Sequence, residues 1–226
     1  MFYSEKLVNR DAIRTYLNFL FSGLTGIITL QGVGEKGTER EGIFREQIFL
    51  DLKTGYMDEA IRHVCRWSAL HVASYILPAT LKERSDEEWA IDLFSAVTLD
   101  IDDGDTYEKL LGLAKYVGVP TMVVCSGGRN KTGHCKFHCY WGLERPARDI
   151  KVITSIRREW SERVGGDTAL SKPNQLMRIP GSVYGRNGIF VPVSIFSFLE
   201  SDQWQGTVLP TRCNFTAQDL LGAPPR

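Results

Sequence analysis

The segment 97–102, Val-Thr-Leu-Asp-Ile-Asp, alternates apolar and polar residues at every position. Such alternation is typical of a β-strand with one buried face, because successive side chains of a strand point to opposite sides. Asp100 and Asp102 therefore share one face at the end of the strand. Two adjacent carboxylates repel each other unless a cation lies between them, so the pair predicts a Mg²⁺ or Mn²⁺ site. The alternative is an acidic turn, in which residues 100–105 only cap the helix that follows.

A second segment with the same alternation, 134–141, reads His-Cys-Lys-Phe-His-Cys-Tyr-Trp. As a strand it presents an apolar face and a polar face, the latter made of His134, Lys136, His138 and Tyr140. A cation beside an imidazole suits the phosphates of a nucleotide. The loop before this strand offers backbone N–H groups and positive charge for the same purpose. Its candidate residues are Ser126, Gly127, Arg129 and Lys131.

Zinc is a rival ligand for the same region. Five potential zinc ligands lie within fifteen positions: Cys125, His134, Cys135, His138 and Cys139. The spacing disfavours zinc, because no Cys-x-x-Cys pair occurs and Cys135 and His138 would point to opposite faces of a strand. We expect reduced thiols, since five irregularly spaced cysteines do not form a disulfide framework.

A third candidate segment for the site is Gly-Gly-Asp at 165–167. Further along the chain, Arg178 lies just before a Pro-Gly turn. A carboxylate after two glycines can approach a metal ion closely. An arginine at a rigid turn can be held out to a phosphate group. Asp167 is thus the candidate for a third metal ligand, and Arg178 is a candidate for nucleotide binding.

The chain has 27 basic and 27 acidic residues, so its formal net charge is zero. A non-specific nucleic-acid coat protein would instead carry a large positive net charge. The charge is unevenly distributed, because residues 1–128 carry a net charge of −6 and residues 129–226 one of +6. A helix predicted at 147–164 adds Arg157, Arg158 and Arg163 to the positive half. We interpret these arginines as a surface for template phosphates, with a solvated helix face as the alternative.

Helical and strand patterns are mixed without the strict alternation of a doubly wound parallel sheet, so the sequence predicts an α+β fold with a largely antiparallel sheet. We expect an N-terminal α/β lobe at about 1–90, a second lobe at about 91–195, and a tail or linker at 196–226. No stretch is apolar enough for a membrane span and no secretory signal is present. These features favour a soluble, cytoplasmic protein with no membrane partner.

The order of the motifs resembles the catalytic domain of the archaeo-eukaryotic primase superfamily. The resemblance covers residues 95–185 and consists of hydrophobic-Asp-x-Asp, Ser-Gly followed by Lys-Phe-His-x-Tyr-Trp, and Asp followed by Arg-Ile-Pro-Gly-Ser. It is similar to the RepB-type primase-polymerase domain of plasmid and phage replication proteins. The resemblance implies that residues 91–195 form an RRM-like catalytic sheet, packed with the N-terminal lobe.

The resemblance also implies residue roles and an activity. Asp100, Asp102 and Asp167 would hold two Mg²⁺ or Mn²⁺ ions, and His138 would contact the incoming phosphates. The other nucleotide-binding residues would be Ser126, Gly127, Arg129, Lys136 and Arg178. The implied activity is template-directed nucleotidyl transfer by a DNA primase/polymerase in plasmid, phage or mobile-element replication. Its partners would be a single-stranded DNA template and primer, NTP or dNTP, and a helicase in the same chain or separate.

Two other functions fit parts of the pattern. An RRM-like module of a replication initiator would bind single strands without catalysis, by stacking bases on exposed aromatic residues, for which Tyr140 is the candidate. A rolling-circle nicking enzyme needs two histidines on either side of one apolar residue, together with a tyrosine nucleophile. His134 and His138 have the wrong separation for a nicking enzyme.

Overall fold

Helices and strands are mixed along the whole of the described chain. The computed structural model describes residues 7–166 and 168–198, and the tail predicted at 196–226 lies outside them from residue 199 on. The helices are α1 (Arg10–Phe21), α2 (Tyr56–Ala69), α3 (Thr106–Val117) and α4 (Ile150–Arg163), with 3₁₀ turns at Glu88–Ala90 and Thr168–Ser171. The strands are β1 (Ile27–Val33), β2 (Arg45–Asp51), β3 (Ala73–Ile76), β4 (Thr80–Leu81), β5 (Ile91–Ile101), β6 (Met122–Arg129), β7 (Cys135–Ala147), β8 (Met177–Arg178), β9 (Val183–Arg186), β10 (Ile189–Pro192) and β11 (Ser194–Phe198).

The contacts divide the described residues into two compact units. The first holds 7–92 and 176–194, and the second holds 93–166, 168–175 and 195–198. The strand pairs within them are antiparallel, which confirms the predicted α+β class. The sequence-based division placed 176–194 in the second lobe. Residues 176–194 belong to the first unit instead, because β8 pairs with β3, with Tyr75 opposite Arg178.

In the first unit, β1 is the central strand and pairs with β2, β3 and β4. Its β-branched residues suit a buried strand, and its middle residues are buried. Gly32 lies against the Trp67 indole of α2, where an added Cβ would come within 2.6 Å of the ring. Helix α1 begins at Asn9, whose Oδ1 accepts N–H bonds from Asp11 and Ala12. Its apolar stripe is buried and consists of Ile13, Tyr16, Leu17, Leu20 and Phe21, which recur at helical spacing.

In the second unit, β7 pairs with β5 on one side and β6 on the other. Helix α3 begins after Asp105, whose carboxylate accepts the N–H groups of Tyr107 and Glu108. Asp105 is therefore the N-cap of α3. Helix α4 contributes Trp160, which meets the β7 residue Trp141 edge to face with the ring centroids 4.6 Å apart.

The helices of the described chain are short. None of them, within residues 7–166 and 168–198, has the length and apolar character needed to cross a membrane.

Candidate active site

The pairing of β5 with β7 brings two of the predicted site residues together. Asp100 lies directly opposite His138 in the register, and Thr98 lies opposite Tyr140. Residues directly opposite in an antiparallel pair project from the same face, with Cβ atoms about 4.5–5.5 Å apart. Asp100 and His138 therefore share one face of the sheet and are neighbours on it. His138 is buried, with 6% of its surface exposed.

Asp102 lies two residues after Asp100, and Lys136 lies two residues before His138. These two side chains form an ion pair on the same face. The Lys136 Nζ donates to Asp102 Oδ2 over 3.1 Å. The side chains are 29% and 37% exposed for Lys136 and Asp102, so solvent and other ligands reach both groups. The predicted metal ligand and the predicted phosphate ligand thus neutralise each other in this state. Because the ion pair is partly solvated, replacing either partner by another ligand costs little free energy.

This ion pair lines a cavity of about 430 Å³ within the second unit. That volume lies in the range of small-molecule sites, about 300–1,000 Å³. The cavity wall combines carboxylates and cations: Asp102, Asp103, Arg129, Lys131 and Lys136, with Asn130 and the backbone of Gly165 and Gly166. Such a wall suits a ligand that carries phosphates together with a cation. The structure therefore brings Asp102, Arg129 and Lys136 to one cavity.

The loop between β6 and β7 is anchored by Asn130, a residue that the sequence analysis did not select. Its Oδ1 accepts the N–H groups of Thr132 and His134, and its Nδ2 donates to the Gly104 carbonyl over 2.6 Å. The loop is thereby fixed to the turn that follows β5. Asparagine side chains often accept the backbone N–H two residues further on in loops, which is the signal that could have identified it. Arg129 is held in the same loop by donation to the Gly133 carbonyl over 2.6 Å.

Ser126 and Gly127 lie where the register of β6 and β7 shifts, between Cys125 and Arg129. Ser126 is buried, and Gly127 has a left-handed φ of +83°. Only glycine adopts this conformation without strain, so the irregularity depends on that residue. The shift redirects the chain into the loop that carries Arg129. The nucleotide contacts predicted for Ser126 and Gly127 stay predictions.

The potential zinc ligands do not form a cluster. His134 contacts the Gly104 carbonyl through Nδ1 at 3.0 Å and lies 3.8 Å from the Asp105 carboxylate. Cys139 is fully buried opposite Leu99, and its burial raises the pKa of the thiol. Across residues 7–166 and 168–198, no group of three His, Cys, Asp or Glu side chains is placed to hold a metal ion.

The third acidic position, Asp167, lies outside the described residues. The chain on its N-terminal side reaches the cavity, because Gly165 and Gly166 both line it. Asp102 lines this cavity, and Asp100 lies two residues earlier on the same face but is not part of the cavity wall. Carboxylate oxygens with room for water and phosphate are the donor set that Mg²⁺ and Mn²⁺ prefer, so these residues fit the predicted metal.

Arg178 belongs to the first unit and is held there by its own partners. Its guanidinium donates to Glu35 and lies over the rings of Tyr75 and Tyr184, at 4.8 and 4.7 Å from their centroids. Tyr75 donates its hydroxyl to the same carboxylate over 2.7 Å, and burial raises the pKa of that hydroxyl. The cluster pairs a buried charge within the first unit. Among the described residues, Glu35 Oε2 and Arg178 Nη1 have no hydrogen-bond partner. The nucleotide role predicted for Arg178 stays a prediction.

Arg157 does not form part of an exposed cationic surface, so this part of the prediction is wrong. Its side chain is 1% exposed and lies on the buried face of α4. It donates to the carbonyls of Lys172 and Pro173 and lies 5.2 Å from the centre of the Phe94 ring. Burial lowers the pKa of the Arg157 guanidinium to about 10. Its role is structural, since it fixes the segment after the Gly165–Gly166 turn.

Known proteins share this architecture. No family model and no curated protein matches the sequence. Among solved structures, the chain is similar to the AEP domain of the cyanophage S-2L primase-polymerase (PrimPol), with 20% identity and a TM-score of 0.66 over 97% of this chain and 100% of that one. It is also similar to the primase RepB′, at 14% identity and a TM-score of 0.58 over 84% of this chain and 56% of that one.

A third similar structure is the catalytic domain of the primase RepB′ in complex with initiator DNA. The identity is 14% and the TM-score is 0.56, over 84% of each chain. At these identities the similarity establishes the fold. This chain therefore has the fold of archaeo-eukaryotic primase-type primase-polymerase domains, which is the fold that its motifs predicted.

Proposed function

We propose that this chain is a DNA primase/polymerase that carries out template-directed, divalent-metal-dependent nucleotidyl transfer. The observation that carries the proposal is the β5–β7 register, which sets Asp100 beside His138 while Asp102 contacts Lys136 at a cavity of about 430 Å³. Two carboxylates, an imidazole and a lysine on one face form a site for a metal-bound polyphosphate. The fold shared with primase domains supports the same activity.

The carboxylates would hold the metal ions. Asp100 and Asp102 are the described candidates, and Asp167 is the proposed third ligand. Bound Mg²⁺ or Mn²⁺ supplies charge neutralisation and lowers the pKa of the primer 3′-hydroxyl. The contribution of this chain is to place its carboxylates on one strand end, so that the site is formed before substrate arrives.

The cations would hold the triphosphate. Lys136 now donates to Asp102, and a nucleotide phosphate would take over this hydrogen bond when Asp102 serves a cation. Arg129 and Lys131 line the same cavity and add positive charge. His138, two residues after Lys136 in β7, would donate to a phosphate oxygen. These groups orient the substrate for an in-line reaction and need no covalent enzyme intermediate.

A DNA template and primer are the proposed macromolecular substrates. One of the similar structures contains initiator DNA, which supports DNA binding by this fold. The plasmid or phage context, the helicase partner and the choice between NTP and dNTP remain part of the sequence-based prediction.

The non-catalytic alternative loses its candidate residue. Base stacking on an RRM-like sheet requires an exposed aromatic ring. Tyr140, the candidate for that role, is fully buried. The site face instead presents ionisable groups at the cavity, which favours catalysis.

Primer extension tests the proposal. The full chain is incubated with a single-stranded template, Mg²⁺ or Mn²⁺ and labelled ATP or dATP, with and without a pre-annealed primer. We expect Asp100→Asn and Asp102→Asn each to reduce incorporation by at least about 100-fold, since each removes charge that acts in the transition state. Asparagine keeps the shape of aspartate, so the thermal unfolding midpoint should stay close to that of the unchanged chain.

Glu162→Gln serves as the matched control, because it neutralises an exposed carboxylate on α4 that does not line the cavity. Its incorporation rate should equal that of the unchanged chain. Near-normal extension by both aspartate variants would overturn the proposed function. Circular dichroism distinguishes a variant that is inactive because it is unfolded from one that is folded and inactive. A folded, inactive variant supports the proposal.

A further inference from the structure

A second cavity, of about 590 Å³, lies in the first unit and belongs to no site described so far. Three segments form it: the loop at Gly37–Arg40, the end of α2 at Ala69–His71, and the β9–β10 hairpin at Gly188 and Phe190. Its volume is that of a small-molecule site, about 300–1,000 Å³. These segments are far apart in sequence, so their junction is built by the fold.

The walls of this cavity are set by close backbone packing. An added Cβ at Gly34 would meet the Arg40 carbonyl oxygen at 1.9 Å, and one at Gly37 would meet Asn187 at 2.5 Å. The Asn187 N–H donates to the Lys36 carbonyl over 3.0 Å and joins the loop to the hairpin. The cavity is therefore preformed, which reduces the entropy lost when a ligand binds.

The floor of the cavity is aromatic. The His71 imidazole stacks on the Phe190 ring with 4.2 Å between centroids and 34° between planes. His71 and Asn187 are the two non-glycine residues with left-handed φ in the described chain, at 57° and 54°. Position 71 follows the C-terminus of α2, where glycine is the usual residue. Strained positions of this kind occur preferentially at binding sites, and here the histidine ring completes the stack.

The rim carries charges of both signs, the Glu39 carboxylate and the Arg40 guanidinium. Arg40 is exposed and lines the cavity, and among the described residues it forms no ion pair. Lys36 in the same loop is also exposed and, in the described chain, has no ion-pair partner. Aromatic rings beside a cation that has no ion-pair partner are the arrangement that binds a base and its phosphate in single-stranded nucleic acid.

We propose that this cavity binds a nucleobase with its adjoining phosphate, the base against the His71–Phe190 stack and the phosphate against Arg40. The ligand is either one nucleotide of a single strand or a free nucleotide. The single-strand form rests on the proposed function, since a primase holds a template strand. The cavity would then fix the strand within the first unit by stacking, which is tolerant of sequence.

Binding is measured in EDTA, so that the metal-dependent site makes no contribution. The probes are fluorescein-labelled oligo(dT), followed by anisotropy, and unlabelled dTMP and ATP, followed by calorimetry. His71→Gly and Phe190→Leu should each weaken binding by at least about fivefold, the lower end of stacking losses. Arg40→Gln should reduce the salt slope of oligo(dT) binding by about 0.7, the loss of one phosphate contact. Arg62→Gln, an exposed arginine of α2 paired with Glu59, is the control and should bind normally.

His71→Gly also separates binding from folding. Glycine removes the left-handed strain, so the unfolding midpoint should stay level or rise while affinity falls. A third readout localises the strand: an oligonucleotide with 5-iodouracil should form ultraviolet crosslinks to peptides that contain residue 71 or 190. Weakened oligo(dT) binding identifies a strand site, and weakened dTMP or ATP binding alone identifies a nucleotide site.

The proposal is overturned if His71→Gly, Phe190→Leu and Arg40→Gln bind all three probes within twofold of the unchanged chain. The strand form of the proposal is overturned if no crosslink maps to this cavity. Its failure is distinct from failure of the proposed function. Asp100→Asn and Asp102→Asn test incorporation in the presence of metal, whereas the cavity variants test binding without metal. Either proposal can therefore fail while the other stands.

Discussion

Removal of the Arg178 guanidinium, in an Arg178→Met variant, should destabilise the chain strongly. Arg178 and Glu35 are 11% and 9% exposed, so neither charge is well solvated. In the variant, the Glu35 carboxylate would keep only the hydroxyl of Tyr75, at 2.7 Å, as a donor. Breaking a buried ion pair by removing one partner costs about 3–5 kcal/mol, because the other charge stays buried without compensation.

The size of the effect can be converted into a shift of the unfolding midpoint. For a chain of 150–250 residues, 1 kcal/mol corresponds to about 2–4 °C, so Arg178→Met should lower the midpoint by about 6–20 °C. The double variant Glu35→Gln/Arg178→Met removes both charges and keeps an oxygen acceptor for the Tyr75 hydroxyl. It should be more stable than Arg178→Met by at least about 1.5 kcal/mol, the cost of one unsatisfied charged group.

The assay is urea unfolding followed by circular dichroism, with m-values compared to confirm that each variant unfolds in the same manner. If the free energy of unfolding of Arg178→Met lies within about 1 kcal/mol of that of the unchanged chain, or if the double variant is no more stable than the single one, the reasoning about the buried pair is wrong.

Arg178→Lys adds a test of the predicted nucleotide role. A lysine variant that is as stable as the parent but binds nucleotide weakly would show that the guanidinium acts on the substrate.

Four further predictions use other parts of the structure. Gly34→Ala should lose about 1–3 kcal/mol of unfolding free energy, because its Cβ would lie 1.9 Å from a backbone oxygen. Gly112→Ala, where α3 leaves open space, should gain about 0.5–1 kcal/mol in the same urea assay. Burial, with two neighbouring arginines, lowers the pKa of His63, so the folded state binds fewer protons and stability should rise with pH toward about 6.5. His63→Gln should flatten that part of the pH profile, and an unchanged profile contradicts the assignment. Lys136→Met should raise the nucleotide KM at least about tenfold while it changes stability by no more than about 1 kcal/mol, since its ion pair with Asp102 is partly exposed.

Period-two alternation explains why much of the candidate site could be predicted. It set Asp100 and Asp102 on one face of β5, and Lys136 and His138 on one face of β7. The β5–β7 register confirms that Asp100 and His138 share a face. The cap at Asp105 was equally predictable, because it depends only on the next three residues. Local geometry decides features of this kind.

Other features depend on contacts between distant segments. Arg157 lies on α4 among Ile153, Ile156 and Trp160, but a helical pattern does not tell a buried arginine from a solvated one. Its Nη1 donates to the carbonyls of Lys172 and Pro173, fifteen and sixteen residues away, whereas Nε and Nη2 are buried without a hydrogen-bond partner among the described residues. The role of Asn130 likewise depends on the Gly104 carbonyl of another loop.

The sequence by itself determined which residues alternate, where helices begin and which carboxylates share a strand, because these properties depend on neighbours within a few positions. The tertiary structure alone decided that Arg178 pairs with Glu35 and that three distant segments enclose the His71–Phe190 cavity. Such contacts arise from the packing of elements far apart in the chain. Their free energy comes from burial and pairing, which no short stretch of residues encodes.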